Sequence, residues 1–103
     1  MADMDELLRQ AQQMQSKMNA MQEELAKKSV EGSSGGGMVR ALVNGKQDVL
    51  SISIDKSVVD PEDIEMLQDL VTAAVNDALR RSRSMAEQGL ASLTGSFSFP
   101  GFG

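Results

Sequence analysis

Four residue types are missing from this sequence of 103 residues: cysteine, histidine, tryptophan and tyrosine. Without cysteine the chain has no disulfide bond, zinc–thiolate site or cysteine nucleophile, and without histidine it has no imidazole general base. The aromatic residues are three phenylalanines in the last seven positions, Phe97, Phe99 and Phe102. The core must therefore be built from aliphatic residues and methionine.

Long apolar runs are also lacking. No stretch approaches the roughly 18 consecutive apolar residues of a membrane span. The first residues, Met1-Ala2-Asp3-Met4-Asp5-Glu6, are acidic and lack the basic region and apolar run of a signal peptide. We therefore expect a cytoplasmic protein that does not contact membranes.

Positive charge is scarce as well. The chain has ten basic and fifteen acidic residues, so its net charge is −5. This balance excludes a uniformly basic nucleic-acid binder but leaves room for a local basic patch. The chain is 41% hydrophobic and 24% charged, which is typical of a globular protein. Its length suits a single domain, which we place at residues 1–94.

Residues 3–28 are predicted to form the first helix, because they contain neither glycine nor proline and follow a heptad pattern. Such a helix is roughly 38 Å long, too long for so small a core to cover, so part of it must pack on another helix or another chain. A methionine-rich seam of this kind can also bind a partner, although helix packing is the commoner use. The seam residues are Met4, Leu7, Ala11, Met14, Met18, Met21 and Leu25.

Residues 29–55 are predicted to form a small antiparallel sheet. Asn44-Gly45 separates two apolar segments and predicts a hairpin with a two-residue turn, which places Val39 opposite Leu50. The same register sets Gly37 opposite Ile52 and Gly35 opposite Ile54, so these glycines would admit a close helix. A third strand is expected near residues 29–33. The residues of the sheet that we predict to pack against a helix or in a dimer are Leu50, Ile52 and Ile54.

The second helix is predicted over residues 61–88, with Asp60 as its N-cap, Pro61 in its first turn and Gly89 as its stop. The Gly- and Phe-containing segment 95–103 has no period and is predicted to be disordered. The chain thus has a helix, a short sheet and a helix, which is an α+β subunit of two layers.

Two further clusters of residues are candidate ligand sites. The glycine run from Gly32 to Gly37 lacks the spacing of a phosphate loop and leads into a strand, so we interpret it as a turn with packing glycines. The acidic residues between Asp60 and Asp69 lack EF-hand spacing and suit a helix N-terminus. We therefore expect no metal, cofactor or small-molecule substrate, and the chain shows no catalytic constellation.

Arginines cluster near the end of the second helix, in Arg80-Arg81-Ser82-Arg83. At 100° per residue, Arg80 and Arg83 point away from the apolar face and Arg81 flanks it. If the two helices run antiparallel, Arg9 lies near this cluster, and Lys17 lies at the edge of the seam. Such a cluster is either a solvated helix end or a patch that binds phosphates.

The lack of aromatic residues constrains how nucleic acid could bind. Single strands and RNA loops are held on aromatic stacking platforms, which residues 1–94 do not contain. Duplex DNA held by its backbone, with weak sequence preference, fits better, and a dimer would double the patch.

Four segments of the sequence, in register over residues 4–95, resemble the YbaB/EbfC family of bacterial nucleoid-associated proteins. They are Gln10–Gln15, Val30–Val39, Val43–Lys46 and Asp60–Ala78. The resemblance implies an α-β-β-β-α fold with a three-stranded antiparallel sheet, and a tweezer-like homodimer whose helical arms embrace DNA. It also implies a protein of the cytoplasmic nucleoid that affects DNA organisation or gene expression without catalysing a reaction.

We therefore predict a non-enzymatic homodimer that binds duplex DNA through Arg9, Lys17, Arg80, Arg81 and Arg83. The alternative is a dimeric interaction module whose methionine seam or phenylalanine segment docks a recombination or replication protein.

Overall fold

The computed structural model describes residues 3–95, with side chains up to Ser92. Helix α1 spans Met4–Lys27 and is followed by strands β1 (Ser29–Ser34), β2 (Val39–Asn44) and β3 (Val49–Ile54), and by helix α2 (Ile64–Gly95). The strands form one antiparallel sheet in the order β1-β2-β3. The predicted α-β-β-β-α fold is confirmed.

Both helices begin at aspartates. The Asp3 carboxylate accepts a hydrogen bond from the Asp5 N–H at the start of α1. At α2 the cap is Asp63, whose carboxylate accepts from the Met66 N–H at 3.1 Å. The prediction of Asp60 as N-cap is wrong, because Asp60 instead closes the preceding turn by accepting from the Glu62 N–H at 2.9 Å.

Helix α2 also continues past its predicted end. Gly89 lies inside the helix, where it faces the Met21 sulfur of α1. Glycine weakens a helix by only about 1 kcal/mol, which packing against a second helix can outweigh. Gly95, predicted to open the disordered segment, is the last residue of α2, and the rest of that segment lies outside the described residues.

The hairpin register differs from the prediction. Val39 pairs with Ile54 and Ala41 with Ile52, because the loop is residues 45–47, one residue longer and one position later than predicted, and a β-bulge shifts the register between Leu42 and Val43. The Asn44 N–H donates to the Asp48 carbonyl at 3.0 Å, and Gln47 takes the left-handed conformation with φ of 68°. This is the geometry of a three-residue hairpin loop, in which the left-handed residue restores the strand direction.

The glycine run forms the β1–β2 turn, as expected, but does not lie opposite Ile52 and Ile54. Gly35, Gly36 and Gly37 have φ values of 59°, 67° and 92°, which residues with a Cβ rarely adopt. The close approach of a helix occurs earlier, at Gly32, which lies against the backbone of Ala78 in α2.

The core lies between α2 and the first two strands. Five apolar residues are fully buried there: Val39, Ala41, Val43, Ala74 and Ala78. Ser82 is also fully buried, and its hydroxyl donates to the Asn44 carbonyl at 2.7 Å. Because the fully buried apolar residues of α2, Ala74 and Ala78, are small, α2 approaches the sheet closely.

Strand β3 lies beyond the reach of α2. Leu50, Ile52 and Ile54 are 52%, 43% and 41% exposed, so they do not pack within the subunit as core residues. Ile52 and Ile54 pair with the buried Ala41 and Val39, so they lie on the face of the sheet that α2 covers elsewhere. An apolar strip is thus left open beside α2.

The remaining predicted packing residues lie on α1. Leu25 is buried, Met14 and Met21 are half-buried, and Leu7 and Met18 are exposed. The molecule measures 72 × 27 × 17 Å, with a radius of gyration of 20.1 Å, whereas a compact chain of this length has about 13 Å. No helix among the described residues is long and apolar enough to cross a membrane.

Candidate nucleic-acid interface

Helices α1 and α2 extend beyond the sheet and form a two-helix arm. Leu25 lies where the arm leaves the sheet, and its carbonyl accepts from the Gly45 N–H at 2.8 Å. Further out, Met21 lies beside Gly89, and Lys17 lines the same groove as Ser92. Residue numbers fall along α1 as they rise along α2, so the helices are antiparallel, as predicted.

Arg80 and Arg81 lie beside the sheet, on the solvent side of α2. Their side chains are 63% and 60% exposed, and both interact with Asp77, at 3.6 Å for Arg80 and 3.2 Å for Arg81. The buried Ala78 and Ser82 face the sheet, so the arginines are presented outward. One carboxylate therefore offsets part of the charge of two arginines.

Asp77 also holds β1 to α2, because its carboxylate accepts from the Ser33 N–H at 3.0 Å. This backbone hydrogen bond, helped by Arg81 and Arg80, lowers the pKa of Asp77 below its ordinary value of 3.8. Asp77 stays ionised at neutral pH and orients both arginines while it anchors a strand.

Arg83 follows Arg80 by three residues, so it lies about 60° from Arg80 on the solvent side of α2. It is exposed and precedes Glu87 by one helical turn. Glu87 lines a groove of the arm together with Lys46 of the β2–β3 loop. The three arginines thus lie together on the exposed surface of α2, beside the base of the arm.

Lys17 lines the opposite groove of the arm, and Lys28 lies at its sheet end. Lys28, the C-cap residue of α1, is eleven positions from Lys17, which is about three helical turns, so it lies in line with Lys17 along the groove. Lys28 was not among the predicted DNA-binding residues, although this spacing could have identified it. Glu24 lies between them and offsets part of their charge.

Arg9 does not join the arginine cluster. It lies 12 residues beyond Met21 along α1, and Arg80 lies 9 residues from Gly89 in the opposite direction, which separates them by roughly 30 Å along the arm. The expected proximity is wrong. Only the C-terminal end of α1, at Leu25, reaches the sheet, whereas Arg80 lies on the part of α2 that packs along the sheet.

No group of three or more acidic, histidine or cysteine residues with metal-binding geometry occurs within residues 3–95. The exposed arginines and lysines of the arm offer guanidinium and ammonium groups. Such groups bind anionic oxygens, and guanidinium groups do so bidentately.

Comparison with known proteins gives a consistent result. The sequence profile of the YbaB/EbfC DNA-binding family matches residues 1–97. A nucleoid-associated protein of Syntrophobacter fumaroxidans is 57% identical over 94 residues, which cover 91% of this chain and 86% of that protein. A nucleoid-associated protein of Caldanaerobacter subterraneus is 50% identical over 99 residues, or 96% of this chain and 89% of the relative.

The fold also has a counterpart among solved structures. The crystal structure of an uncharacterized protein from Helicobacter pylori superposes with a TM-score of 0.81. The match covers 92% of this chain and all of the other, at 24% identity. At this identity the likeness supports the fold alone.

Proposed function

Because the chain belongs to the YbaB/EbfC DNA-binding family, we propose that it is a homodimer that binds duplex DNA through the phosphate backbone. Sequence preference is weak in this proposal, and the result of binding is a change in DNA organisation or gene expression. The protein catalyses no reaction, and the nucleoid in the cytoplasm is the location that the names of its relatives support.

The observation that carries the proposal is the position of Arg80, Arg81 and Arg83. All three are exposed on α2, around the base of the arm. Arginine pairs with phosphate bidentately, and phosphate contacts position a protein on DNA without reading its sequence. Lys17 and Arg9 lie farther along the arm, where they would contact phosphates at a distance from the cluster.

The absence of aromatic side chains within residues 3–95 supports duplex rather than single-stranded DNA. Proteins that hold single strands stack the bases on aromatic rings. Duplex DNA offers its phosphates without unstacking. Weak sequence preference follows because phosphate oxygens are alike at every base pair.

The dimer is supported by the apolar strip on β3. Val49, Leu50, Ile52 and Ile54 are 41–52% exposed in the single chain, and β3 is an edge strand. An exposed apolar edge strand promotes association, and two copies that cover this strip would each keep their arm. Two arms on one dimer would double the phosphate contacts and strengthen binding well beyond that of one arm.

The proposal is tested by fluorescence anisotropy of a labelled mixed-sequence duplex, titrated with protein over a series of salt concentrations. We expect saturable binding that weakens steeply with salt, and the log–log slope estimates the number of phosphates contacted. The triple variant Arg80→Ala/Arg81→Ala/Arg83→Ala should bind at least tenfold more weakly, with a shallower slope.

A matched triple variant, Lys27→Ala/Arg40→Ala/Lys56→Ala, removes the same charge from other exposed positions. It should retain most of the affinity if the α2 cluster is the contact surface. Equal losses in both variants would show that net charge, and not this cluster, determines binding. Absence of binding at low salt would overturn the function itself.

A further inference from the structure

The pair Asn44-Gly45, at the end of β2, has a reactivity that the fold suppresses. In an asparagine–glycine pair the glycine nitrogen can attack the carbonyl carbon of the asparagine side chain, because glycine has no Cβ to obstruct the approach. The chain contains Asn19, Asn44 and Asn76, and of these only Asn44 precedes a glycine. Position 44 is therefore where this reaction is expected when the chain is unfolded.

The attacking nitrogen is occupied in the folded chain. The Gly45 N–H donates to the Leu25 carbonyl at 2.8 Å and to the Lys28 carbonyl at 3.1 Å, at the end of α1. The two elements are so close here that a Cβ added to Gly45 would lie 2.9 Å from the Leu25 Cβ. Because the attack requires the Gly45 nitrogen to lose its proton, it would break the hydrogen bonds that hold the last turn of α1 to the hairpin loop.

The side chain that would be attacked is also fixed. Asn44 is 7% exposed, and its Oδ1 accepts from the N–H groups of Lys46 and Asp48 at 2.9 and 3.0 Å. Its Nδ2 donates to the Asp48 carboxylate at 3.3 Å. The Asn44 backbone carbonyl accepts from the buried Ser82 hydroxyl at 2.7 Å. Rotation of the amide onto the Gly45 nitrogen would break the hydrogen bonds of the side chain.

We propose that Asn44 is a latent deamidation site, which reacts only when the end of α1 separates from the hairpin loop. In the open state the Gly45 nitrogen loses its proton and forms a bond to the Asn44 Cγ. The Cγ–Nδ2 bond breaks, and ammonia leaves with the proton. Water then opens the cyclic imide and leaves aspartate or isoaspartate at position 44. The net reaction consumes one water and releases one ammonia, without oxidation or reduction.

The product opposes the return of α1 to the loop. An aspartate at position 44 places a carboxylate oxygen where Nδ2 now donates, opposite the Asp48 carboxylate, and like charges at this nearly buried position disfavour closure. An isoaspartate adds a methylene group to the backbone before Gly45, which displaces the Gly45 N–H from the Leu25 carbonyl. The site thus records irreversibly that α1 has separated from the loop.

The first test compares the folded and the unfolded natural chain by peptide mass spectrometry at mildly alkaline pH. We expect Asn44 to lose its amide at least about a hundredfold more slowly in native buffer than in concentrated urea, because the folded chain reacts only through its open fraction. Asn19 and Asn76, which precede alanine and aspartate, are internal controls and should react little in either solution. Similar rates at Asn44 in the two solutions would overturn the proposal.

The second test asks whether separation of α1 is the opening that exposes the site. Leu25→Ala removes the buried side chain that lies against Gly45. In native buffer it should accelerate Asn44 deamidation and hydrogen exchange of the Gly45 N–H by the same factor, about tenfold or more, because both reactions need the same nitrogen to be released. Circular dichroism checks that the variant is folded, and Leu25→Val provides a milder change if it is not.

Leu70→Ala is the matched control for this test. Leu70 packs against the core beside Gly35, at the opposite end of β2 from Asn44, so its loss destabilises the fold without touching the junction with α1. It should accelerate deamidation much less than the Leu25 variant does. Equal acceleration by both variants, compared with their losses in urea stability, would show that global unfolding exposes Asn44 and would overturn the proposed opening.

The third test concerns the product. In Asn44→Asp the Gly45 N–H should exchange about tenfold faster than in the natural chain. Asn44→Asp/Asp48→Asn moves the amide to the other side of the same pair and should restore slow exchange. Unchanged exchange in the single variant, or equally fast exchange in the double variant, would overturn the proposed effect of the product. None of the three tests uses DNA, so their failure would leave the proposed function unaffected.

Discussion

Gly32 of β1 lies directly against Ala78 of α2, so close that a Cβ added to Gly32 would come within 2.6 Å of the Ala78 Cα. Both residues are buried, and Gly32 pairs with the buried Ala41 of β2. The contact sets how closely the helix approaches the sheet.

Substitution of Gly32 by alanine should destabilise the protein strongly. The added methyl group would meet helix backbone, which cannot move aside like a flexible side chain, so we expect a loss of about 3 kcal/mol in the free energy of unfolding. Urea denaturation followed by circular dichroism measures this loss. Gly36→Ala is the matched control, because that position has open space and a φ of 67°, so its cost should be nearer 1 kcal/mol. Similar losses for the two variants would contradict the packing role of Gly32.

Charges placed on the apolar strip of β3 should dissociate the proposed dimer. Ile52→Lys/Ile54→Lys sets two cations on each copy of the strip, so association would bury unpaired charge. Light scattering at micromolar concentration should show a mass near 22 kDa, twice the 11.1 kDa chain, for the natural sequence and near 11 kDa for the variant. Because both side chains are already over 40% exposed, the fold should persist.

The control variant Ser51→Lys/Ser53→Lys carries the same charge on the opposite face of β3 and should remain dimeric. A monomeric natural sequence would contradict the dimer.

Removal of the Asp77 charge should strengthen DNA binding. The carboxylate lies 3.2 Å from Arg81 and 3.6 Å from Arg80, so Asp77→Asn releases both guanidinium groups for phosphates. We expect affinity to rise by about two- to fivefold at low salt, and the log–log salt slope to steepen by up to about 1. Asp69→Asn removes an equal charge two turns away and should have a smaller effect. Weaker binding by Asp77→Asn would show that the ion pairs preorganise the arginines rather than compete for them.

The same carboxylate should contribute to acid sensitivity. The Ser33 N–H, and then Arg81 and Arg80, lower the pKa of Asp77 from 3.8 in the folded chain, so the unfolded chain binds a proton more readily. The stabilisation is therefore fully present above the unfolded value and is lost as the pH falls through the folded one. The stability difference between the natural sequence and Asp77→Asn should be constant from pH 7 to about 5 and shrink below pH 4. Urea titrations at several pH values measure it, and a difference that grows on acidification would contradict this linkage.

The elements that could be predicted were those with a local signal. The heptad pattern identified α1, and alternation with turn residues identified β2 and β3. The errors arose where two local signals competed. Asn44-Gly45 favours a two-residue turn, yet Gly45 instead provides space for Leu25, and Gln47 supplies the left-handed residue.

The candidate site was predictable as a set of residue types but not as an arrangement. Arg80, Arg81 and Arg83 lie on the exposed side of α2, as their helical spacing predicts, and whether they contact DNA stays a prediction. The separation of Arg9 from them depends on where α1 meets the sheet. Asp77 was missed because its link to β1 joins residues 44 positions apart.

By itself the sequence determined the type and order of the elements, since helical and strand periodicity are properties of consecutive residues. It also determined the family, through motifs held in register. Only the tertiary structure decided the loop register, the antiparallel arm, the uncovered strip on β3 and which apolar residues of α1 stay exposed. These depend on contacts between distant residues, whose energies are set by how closely two backbones approach and which side chains the approach leaves exposed.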